Sequence, residues 1–270
     1  MAVSLVDAPL EVLYEEPGLP ALDVPDELAA AYGGAFGVGS PGLFVNFVAS
    51  ADGVVAIPAV PNSNRIISGG SATDRFVMGL LRAAGDALVI GSGTMRAAPS
   101  SLWTPAQAYP PAADAYAAMR SRLGLQPEPE LVVLTALGSV DPAHPAFAAG
   151  AVVVTTDAAE QRLRDTLPDA ATVVSLGDAI DPRALVDVLR DRGHRAILSE
   201  GGPNVLGSLL AARVVDEIFL TLSPLLVGRT GLDERLSLVE GADLLPGGPL
   251  PLRLRSVRRS AGELFLRYSV

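Results

Sequence analysis

The stretch from Arg195 to Ala212, RAILSEGGPNVLGSLLAA, predicts a strand, a glycine turn and a helix in immediate succession. Its apolar run ends at Ser199, and Pro203 stands in the first helical turn, where its missing N–H is tolerated. Strands that alternate with helices indicate an α/β sheet with parallel members. Ligands of such sheets bind outside the carboxyl ends of the strands, where Glu200 and its two glycines fall.

The same alternation extends in both directions from this stretch. Downstream, one long strand is predicted from Val215 to Val227, broken or bulged at Pro224, and a terminal hairpin pairs Leu250–Val257 with Leu264–Val270. We therefore expect an α/β fold with a mixed, mostly parallel central sheet, helices on its flanks and a C-terminal antiparallel hairpin. The upstream strands are Leu43–Ala49, Asp86–Ile90, Leu131–Thr135, Ala151–Thr155 and Thr172–Leu176, and the helices are Ser71–Ala84, Ala112–Leu123, Ala158–Leu167 and Pro182–Arg192.

Residues 1–42 differ in composition from the rest and are rich in Pro, Gly, Ala and acids. They contain one short strand candidate, Leu10–Tyr14, and one short helix candidate, Pro25–Tyr32. We interpret residues 1–42 as an N-terminal extension packed on a main domain of residues 43–270. The Pro/Ala-rich segment Ala97–Pro129 resembles an insertion over one end of the sheet, and long insertions there often carry substrate contacts.

Two amino acids are absent from the 270 residues: the chain has no cysteine, and all 20 basic residues are arginine. This excludes thiolate nucleophiles, Cys-ligated zinc, Schiff bases and the P-loop lysine. Only two histidines occur, without metal-ligand spacing, so no metal site is predicted.

The net charge of −10 argues against nucleic acid and anionic membranes as partners. The one dense arginine cluster, between Arg253 and Arg259, is interpreted as the solvated face of an alternating strand. No apolar run reaches the ~20 residues of a membrane helix, and no secretory signal is evident, so a cytoplasmic location is expected.

Two glycine turns follow predicted strands and are candidate phosphate-binding loops. Gly91-Ser92-Gly93-Thr94 follows one strand, and Gly201-Gly202 follows another. Glycines let backbone N–H groups approach a phosphate, and a helix N-terminus favours the anion without a lysine. The alternative for each is an ordinary tight βα turn. A formal dinucleotide fingerprint at Gly37–Gly42 is rejected because it precedes a strand instead of opening a helix.

Two acids end predicted strands on the same side of the sheet. Asp52, in Ser50-Ala51-Asp52-Gly53, is either part of a common Asp-Gly turn or a carboxylate at the mouth of the ligand crevice. Glu200 is either an acid that complements a helix dipole or a second carboxylate of the same crevice.

Taken together, these motifs resemble a known family. Ser50-Ala-Asp52-Gly53, Ile66-Ile-Ser68, Asp74-Arg75-Phe76, Leu81-Arg82-Ala83, Gly91-Ser-Gly-Thr94, Glu200-Gly-Gly-Pro203, Val215-Asp-Glu217 and Ser223-Pro224 occur in that order. The chain from Leu43 to Val270 resembles the pyrimidine reductase domain of the bifunctional deaminase-reductase of riboflavin biosynthesis, and its free-standing actinobacterial forms most closely. The resemblance implies a dihydrofolate-reductase-like fold, a homodimer and NADPH-dependent reduction of a phosphoribosylamino-pyrimidine to its ribitylamino product.

The resemblance also implies roles for particular residues. Asp52 and Glu200 would be catalytic. The substrate would contact Asn46, Ser50, Ser63 and Arg82. The cofactor would contact Val48, Arg65, Ser68, Gly91, Thr94, Gly201, Gly202, Pro203, Asn204, Val205 and Leu206. The deaminase half needs Cys ligands for zinc and cannot be present in this chain.

One segment departs from the family pattern. Relatives carry an Asp-Asp-Pro stretch and then an arginine after the Gly-x-x-Thr element, whereas this chain reads APSSLWTP over residues 98–105. Bifunctional relatives also tend to carry lysine where Asn46 stands. Two alternatives therefore stay open: a reductase of a dihydropterin or another small substrate, and a non-catalytic nucleotide-binding homologue.

Overall fold

A computed structural model describes residues 5–229, 231, 234–246 and 248–270. Their strands form one ten-stranded sheet in the order β1-β9-β10-β8-β2-β7-β3-β4-β5-β6. Seven neighbouring strands are parallel to one another, in the spatial order β8-β2-β7-β3-β4-β5-β6. Strands β9 and β10 form an antiparallel hairpin, and β10 also pairs antiparallel with β8. The strands are β1 (Glu11–Glu15), β2 (Gly42–Ala49), β3 (Ala87–Gly91), β4 (Glu130–Leu134), β5 (Val152–Thr155), β6 (Thr172–Ser175), β7 (Ala196–Ser199), β8 (Glu217–Leu222), β9 (Arg253–Ser260) and β10 (Glu263–Ser269).

Helices cover both faces of the sheet, so the predicted fold class is confirmed. Successive side chains of a strand point to opposite faces, and in β2 Phe44 packs toward the helix Ala72–Ala84 while Val45 packs toward the helices Pro182–Asp191 and Pro203–Ala211. The helices are α1 (Asp26–Tyr32), α2 (Ser63–Ile67), α3 (Ala72–Ala84), α4 (Ser92–Ala97), α5 (Pro105–Ala108), α6 (Ala113–Arg122), α7 (Pro145–Ala148), α8 (Asp157–Thr166), α9 (Pro182–Asp191) and α10 (Pro203–Ala211). No helix in this described part of the chain is long and apolar enough to cross a bilayer.

The predicted helix boundaries hold where the capping chemistry is local. Ser71 is the N-cap of α3, and its side chain accepts a hydrogen bond from the Asp74 N–H. Asp181 caps α9 in the same way, with Pro182 in the first turn. The short helices α2, α4, α5 and α7 were not predicted, because four to six residues carry too little periodicity to recognise.

The strand predicted from Val215 to Val227 does break near Pro224, but the predicted continuation beyond it is wrong: β8 covers only Glu217–Leu222. Pro224 has no N–H for the ladder, and the Ser223 hydroxyl turns to the Ile67 carbonyl, 2.6 Å away. Beyond it, the N–H groups of Val227 and Gly228 bind the Asp52 carboxylate instead of a strand. The first hairpin strand also begins later than predicted, at Arg253 instead of Leu250.

The N-terminal segment adds an edge strand and a helix to this architecture. β1 pairs antiparallel with β9 at the edge of the sheet. Leu28 and Tyr32 of α1 are buried in the core on the α3 side of the sheet. The boundary between residues 42 and 43 stays a prediction.

The arginines of β9 form ion pairs with acids of the N-terminal segment. Arg258 is 1% exposed, so the interpretation of this cluster as a solvated face is wrong at that position. Its guanidinium binds Glu15 and lies 4.0 Å above the Tyr32 ring. Arg253 and Arg255 both pair with Glu16, and Arg259 pairs with Glu11. These arginines therefore help to hold β1 against the hairpin.

Candidate active site

The candidate site is a crevice at the carboxyl ends of β2, β7 and β3, which are neighbours in the sheet. The α3 side of these strands carries the polar groups. Leu198 of β7 faces α3, and Glu200, two residues later, continues on that face. Asn46 and Val48 of β2 follow Phe44 on the same face and are half-buried. The crevice thus has the position that open α/β sheets use for ligands.

The two predicted glycine turns meet at this crevice. A Cβ built on Gly201 would lie 2.6 Å from Val205 Cγ1, and one on Gly91 would lie 3.1 Å from Val205 Cγ2. A Cβ on Gly202 would lie 3.6 Å from the Thr94 hydroxyl oxygen. Gly201 therefore has no room for a side chain, and both turns close around Val205.

The start of α10 has backbone N–H groups of the kind that bind anions. Gly202 is its N-cap and Pro203 its first residue, so the first-turn N–H groups of Asn204 and Val205 have no intrahelical acceptor. Backbone N–H groups beside a crowded glycine turn fit a nucleotide phosphate without lysine. Pro203 and Leu206 are buried. Leu206 packs in the core on the face of the sheet that α9 and α10 cover, so its side chain points away from the crevice on the α3 face.

Arg82 and Glu200 form a buried, bidentate ion pair in the crevice. Arg82 Nε donates to Glu200 Oε1 at 2.9 Å, and Nη2 donates to Oε2 at 2.6 Å. A third donor, Nη1, reaches the Thr104 carbonyl at 3.2 Å. The two side chains are 6% and 10% exposed. Both oxygens of Glu200 thus accept from one guanidinium, which fixes the carboxylate plane.

A second acid of the site, Asp74, is on α3, on the helix face that carries Arg82. Asp74, Met78 and Arg82 are spaced by four residues and share that face. Asp74 is 8% exposed. The Thr221 hydroxyl of β8 hydrogen-bonds its side chain, and Glu263 and Glu200 lie close enough to act on its charge. Burial raises the pKa of Asp74 to about 7, and the Thr221 bond opposes that rise. Asp74 has no predicted role, although its spacing from Arg82 predicts that the two residues share a helix face.

Asp52 binds the segment that follows β8. Its carboxylate accepts from the Ser50 hydroxyl at 2.6 Å, the Val227 N–H at 3.1 Å and the Gly228 N–H at 2.6 Å. These bonds, that of Ser50 first, lower the pKa of Asp52 to about 2. Gly53 follows with a φ of +82°, the left-handed conformation of a tight turn. No described hydrogen bond joins Asp52 to Glu200, so the two predicted catalytic acids have separate partners.

The remaining predicted contacts lie between β2 and α3, on α2 and the loops beside it. The Ser50 and Ser63 hydroxyls are buried and accept from the Val54 and Ile57 N–H groups at 3.0 Å each. The Ser68 hydroxyl donates to the Arg65 carbonyl at 3.4 Å. Arg65 itself is exposed. The serines hold the loop in place, and their predicted ligand contacts stay predictions.

The segment that departs from the family pattern is folded around Trp103. This indole is 3% exposed and stacks on His144, with ring centroids 5.6 Å apart. Trp103 has a φ of +54°, which is rare for a bulky residue, and its N–H donates to Gln107 Oε1 at 3.1 Å. The next carbonyl, that of Thr104, binds Arg82. This ordered loop therefore contributes directly to the position of the Arg82–Glu200 pair.

A cavity of about 480 Å³ opens beside the Asp52 turn. Residues from the loop before α2, from α2 and from the segment after β8 line it, and Arg235 is the charged residue among the described ones that do so. Arg235 Nη1 donates to the Val227 carbonyl at 2.9 Å, next to the peptide that binds Asp52. The same segment therefore forms a wall of the cavity and a partner of Asp52.

The fold and the crevice define an open-sheet α/β protein with a glycine-lined, ion-paired site at the carboxyl ends of its parallel strands. A family model described as RibD C-terminal domain matches residues 41–264. The chain belongs to that family, and the predicted resemblance is confirmed.

Individual relatives agree with this assignment. The chain is 28% identical over 196 residues to an Archaeoglobus fulgidus protein named 2,5-diamino-6-ribosylamino-4(3H)-pyrimidinone 5′-phosphate reductase, covering 70% of this chain and 82% of the relative. A pyrimidine reductase-like protein from Corynebacterium diphtheriae superimposes with a TM-score of 0.66 at 24% identity, covering 85% and 92% of the two chains. A Thermotoga maritima deaminase/5-amino-6-(5-phosphoribosylamino)uracil reductase gives a TM-score of 0.61 at 18% identity, covering 85% and 56%.

Proposed function

We propose that this chain is an NADPH-dependent reductase of a phosphoribosylamino-pyrimidine, of the 5-amino-6-(5-phosphoribosylamino)uracil type, and forms the ribitylamino product in riboflavin biosynthesis. The observation that carries the proposal is the family match, which spans both glycine turns, Arg82 and Glu200. The Archaeoglobus fulgidus relative, a reductase by name, supports the same reaction class.

The residues of the crevice divide into two groups by chemistry. The glycine turns and the first turn of α10 offer N–H groups for the cofactor phosphates. NADPH, when bound, supplies the hydride, so the protein contributes position and electrostatics. Asn46, Arg82 and Glu200 offer polar groups to a pyrimidine and its sugar, with Asp52 at the mouth of the crevice.

The direct test mixes the purified protein with NADPH and the phosphoribosylamino-pyrimidine and follows the loss of NADPH absorbance. We expect oxidation with this substrate and a ribitylamino product by mass spectrometry. NADH in place of NADPH measures the cofactor preference. A fluorescence titration that shows no binding of NADPH would contradict the proposal.

A second candidate function is a nucleotide-binding homologue without turnover. It is favoured by the Trp103 loop, which lacks the acids and arginine of relatives and places a backbone carbonyl on Arg82. This alternative predicts tight NADPH binding with no oxidation by the pyrimidine substrate. The remaining alternative, a reductase of a dihydropterin or another small substrate, is tested by replacing the pyrimidine with a dihydropterin in the same assay. NADPH oxidation with the dihydropterin but not with the pyrimidine would support it.

We propose further that the protein is a homodimer and acts in the cytoplasm. Leu264, Leu266 and Tyr268 form a half-buried apolar row on one face of β10, and Leu254 of β9 is exposed beside it. Such a face suits a second copy of the chain. Light scattering at micromolar concentration tests this, and a monomer would contradict it.

A further inference from the structure

Three carboxyl groups lie at the Arg82 face of α3, and the Arg82 guanidinium binds one of them, that of Glu200. Glu200, after β7, and Glu263, on β10, both lie close enough to Asp74 of α3 to act on its charge. Arg82 is bound to Glu200 through Nε and Nη2. Each of the three acids has a different partner: Thr221 for Asp74, Arg82 for Glu200 and Ser71 for Glu263.

We propose that the Asp74 carboxyl is the acid that supplies the proton consumed in the reduction. The proposal rests on the proposed function above and adds the residue that holds this proton. It stands on the position of Asp74, on the Arg82 face of α3, buried and next to Glu200 and Glu263, where a second negative charge is costly.

Electrostatics at Asp74 favours its neutral form. Facing it are Glu200 beyond β7, Glu263 on β10, the Thr221 hydroxyl on β8 and, on its own helix, Arg75. Arg75 is exposed, and its Nε lies 3.4 Å from the Ser71 carbonyl. Burial and, to a smaller extent, the two glutamates raise the pKa of Asp74, while Thr221 and Arg75 lower it, and together they bring it to about 7. Asp74 can therefore carry a proton near neutral pH.

The two acids predicted to be catalytic are occupied as hydrogen-bond acceptors. Glu200 accepts from Arg82 with both oxygens. Asp52 accepts from three donors, and its pKa is lowered to about 2, so it is ionised at neutral pH. Neither arrangement leaves an O–H to donate.

The reaction needs one proton. The bond between C1′ and O4′ of the ribosylamine breaks, and its electron pair stays on O4′, which takes the proton from Asp74. A hydride from NADPH forms the new C1′–H bond, so C1′ is reduced and NADPH is oxidised to NADP⁺. Asp74 is left as a carboxylate and regains its proton from solvent.

The test compares kcat against pH, at saturating NADPH and pyrimidine, for the wild type and Asp74→Asn. The wild type should lose activity as pH rises through about 7, because the acid must be protonated. Asp74→Asn should lower kcat by about 10²-fold or more and remove this pH limb, with the NADPH Kd within about threefold. Asp187→Asn, on the exposed side of α9, is the matched control and should leave both unchanged.

Two further variants keep the proposal falsifiable if Asp74→Asn folds poorly. Thr221→Val removes a bond that lowers the pKa of Asp74, so the limb should move to higher pH. Glu263→Gln removes a neighbouring negative charge, so the limb should move to lower pH. A purely structural role predicts neither shift.

The outcomes separate this proposal from the proposed function. The role of Asp74 alone is overturned if the wild type reduces the pyrimidine and Asp74→Asn keeps more than about a third of the wild-type kcat. It is also overturned if Asp74→Asn shows the same loss of kcat with rising pH as the wild type. A wild type without NADPH oxidation overturns the proposed function, and the proton-donor role falls with it.

Discussion

Arg82 Nη2 lies 2.6 Å from Glu200 Oε2, although the two residues are 118 positions apart in the chain. The pair joins α3 to the turn after β7 and is almost fully buried. A buried pair contributes little net free energy, but removing one partner leaves an unpaired charge in the interior. This asymmetry gives the first prediction.

Arg82→Leu should destabilise the protein by about 3–5 kcal/mol, because Glu200 would keep a buried charge without its guanidinium. The double variant Arg82→Leu/Glu200→Leu should recover much of that loss. Urea unfolding measures both. Equal stability of the single and double variants would show that the pair is not coupled.

Glu200→Gln should reduce turnover more than NADPH affinity, because the amide keeps the shape of the carboxylate but not its charge toward the substrate. Steady-state kinetics and a fluorescence titration measure the two effects. Equal losses of both would place Glu200 with the cofactor.

Asp52→Asn should weaken the attachment of the segment after β8 and reduce turnover more than NADPH affinity. The pKa of Asp52 is lowered in the folded state, to about 2. Its contribution to folding is therefore present above pH ~4 and disappears as pH falls toward 2. The difference in urea midpoint between wild type and Asp52→Asn should shrink over that range, and a constant difference would contradict the prediction.

Gly201→Ala should lower NADPH affinity and destabilise the protein by about 1–3 kcal/mol, because the new methyl would overlap Val205. Gly39→Ala is the matched control, since a Cβ there meets nothing within 4 Å. Thermal unfolding and NADPH titration compare the two. If both alanines behave alike, the crowding at Gly201 has no functional role.

His194 should make the stability of the strand ends depend on pH. Its ring lies 3.5 Å from the Asp86 carboxylate and 2.8 Å from that of Glu130, and these two acids, Asp86 first, raise the pKa of His194. A raised pKa means that the stabilisation is complete below the unfolded pKa of ~6.5 and is lost as pH rises through the folded pKa. The stability advantage of wild type over His194→Gln should therefore be largest at pH 5–6 and smaller above neutrality, as measured by urea unfolding. An advantage that grows with pH would refute this.

Local sequence predicted the regular elements well. α3 extends over its predicted range because Ser71 caps it and its apolar residues repeat at helical spacing. The strand before Glu200 and the helix that begins at Pro203 were both predicted, so the positions of the glycine turns followed. Prediction failed beyond Pro224, because the segment expected to continue β8 binds Asp52, a residue that lies far away in the chain.

The amino-acid sequence alone predicts the order of strands and helices, the mostly parallel sheet and the edge of the sheet at which a ligand is expected. These depend on periodicity, caps and glycine turns, which act over a few residues. The partners of the acids are evident only in the folded chain: Glu200 binds Arg82, Asp52 binds the N–H groups after β8, and Asp74 is buried beside Thr221. The reason is that burial and ion pairing depend on distances between residues remote in the chain.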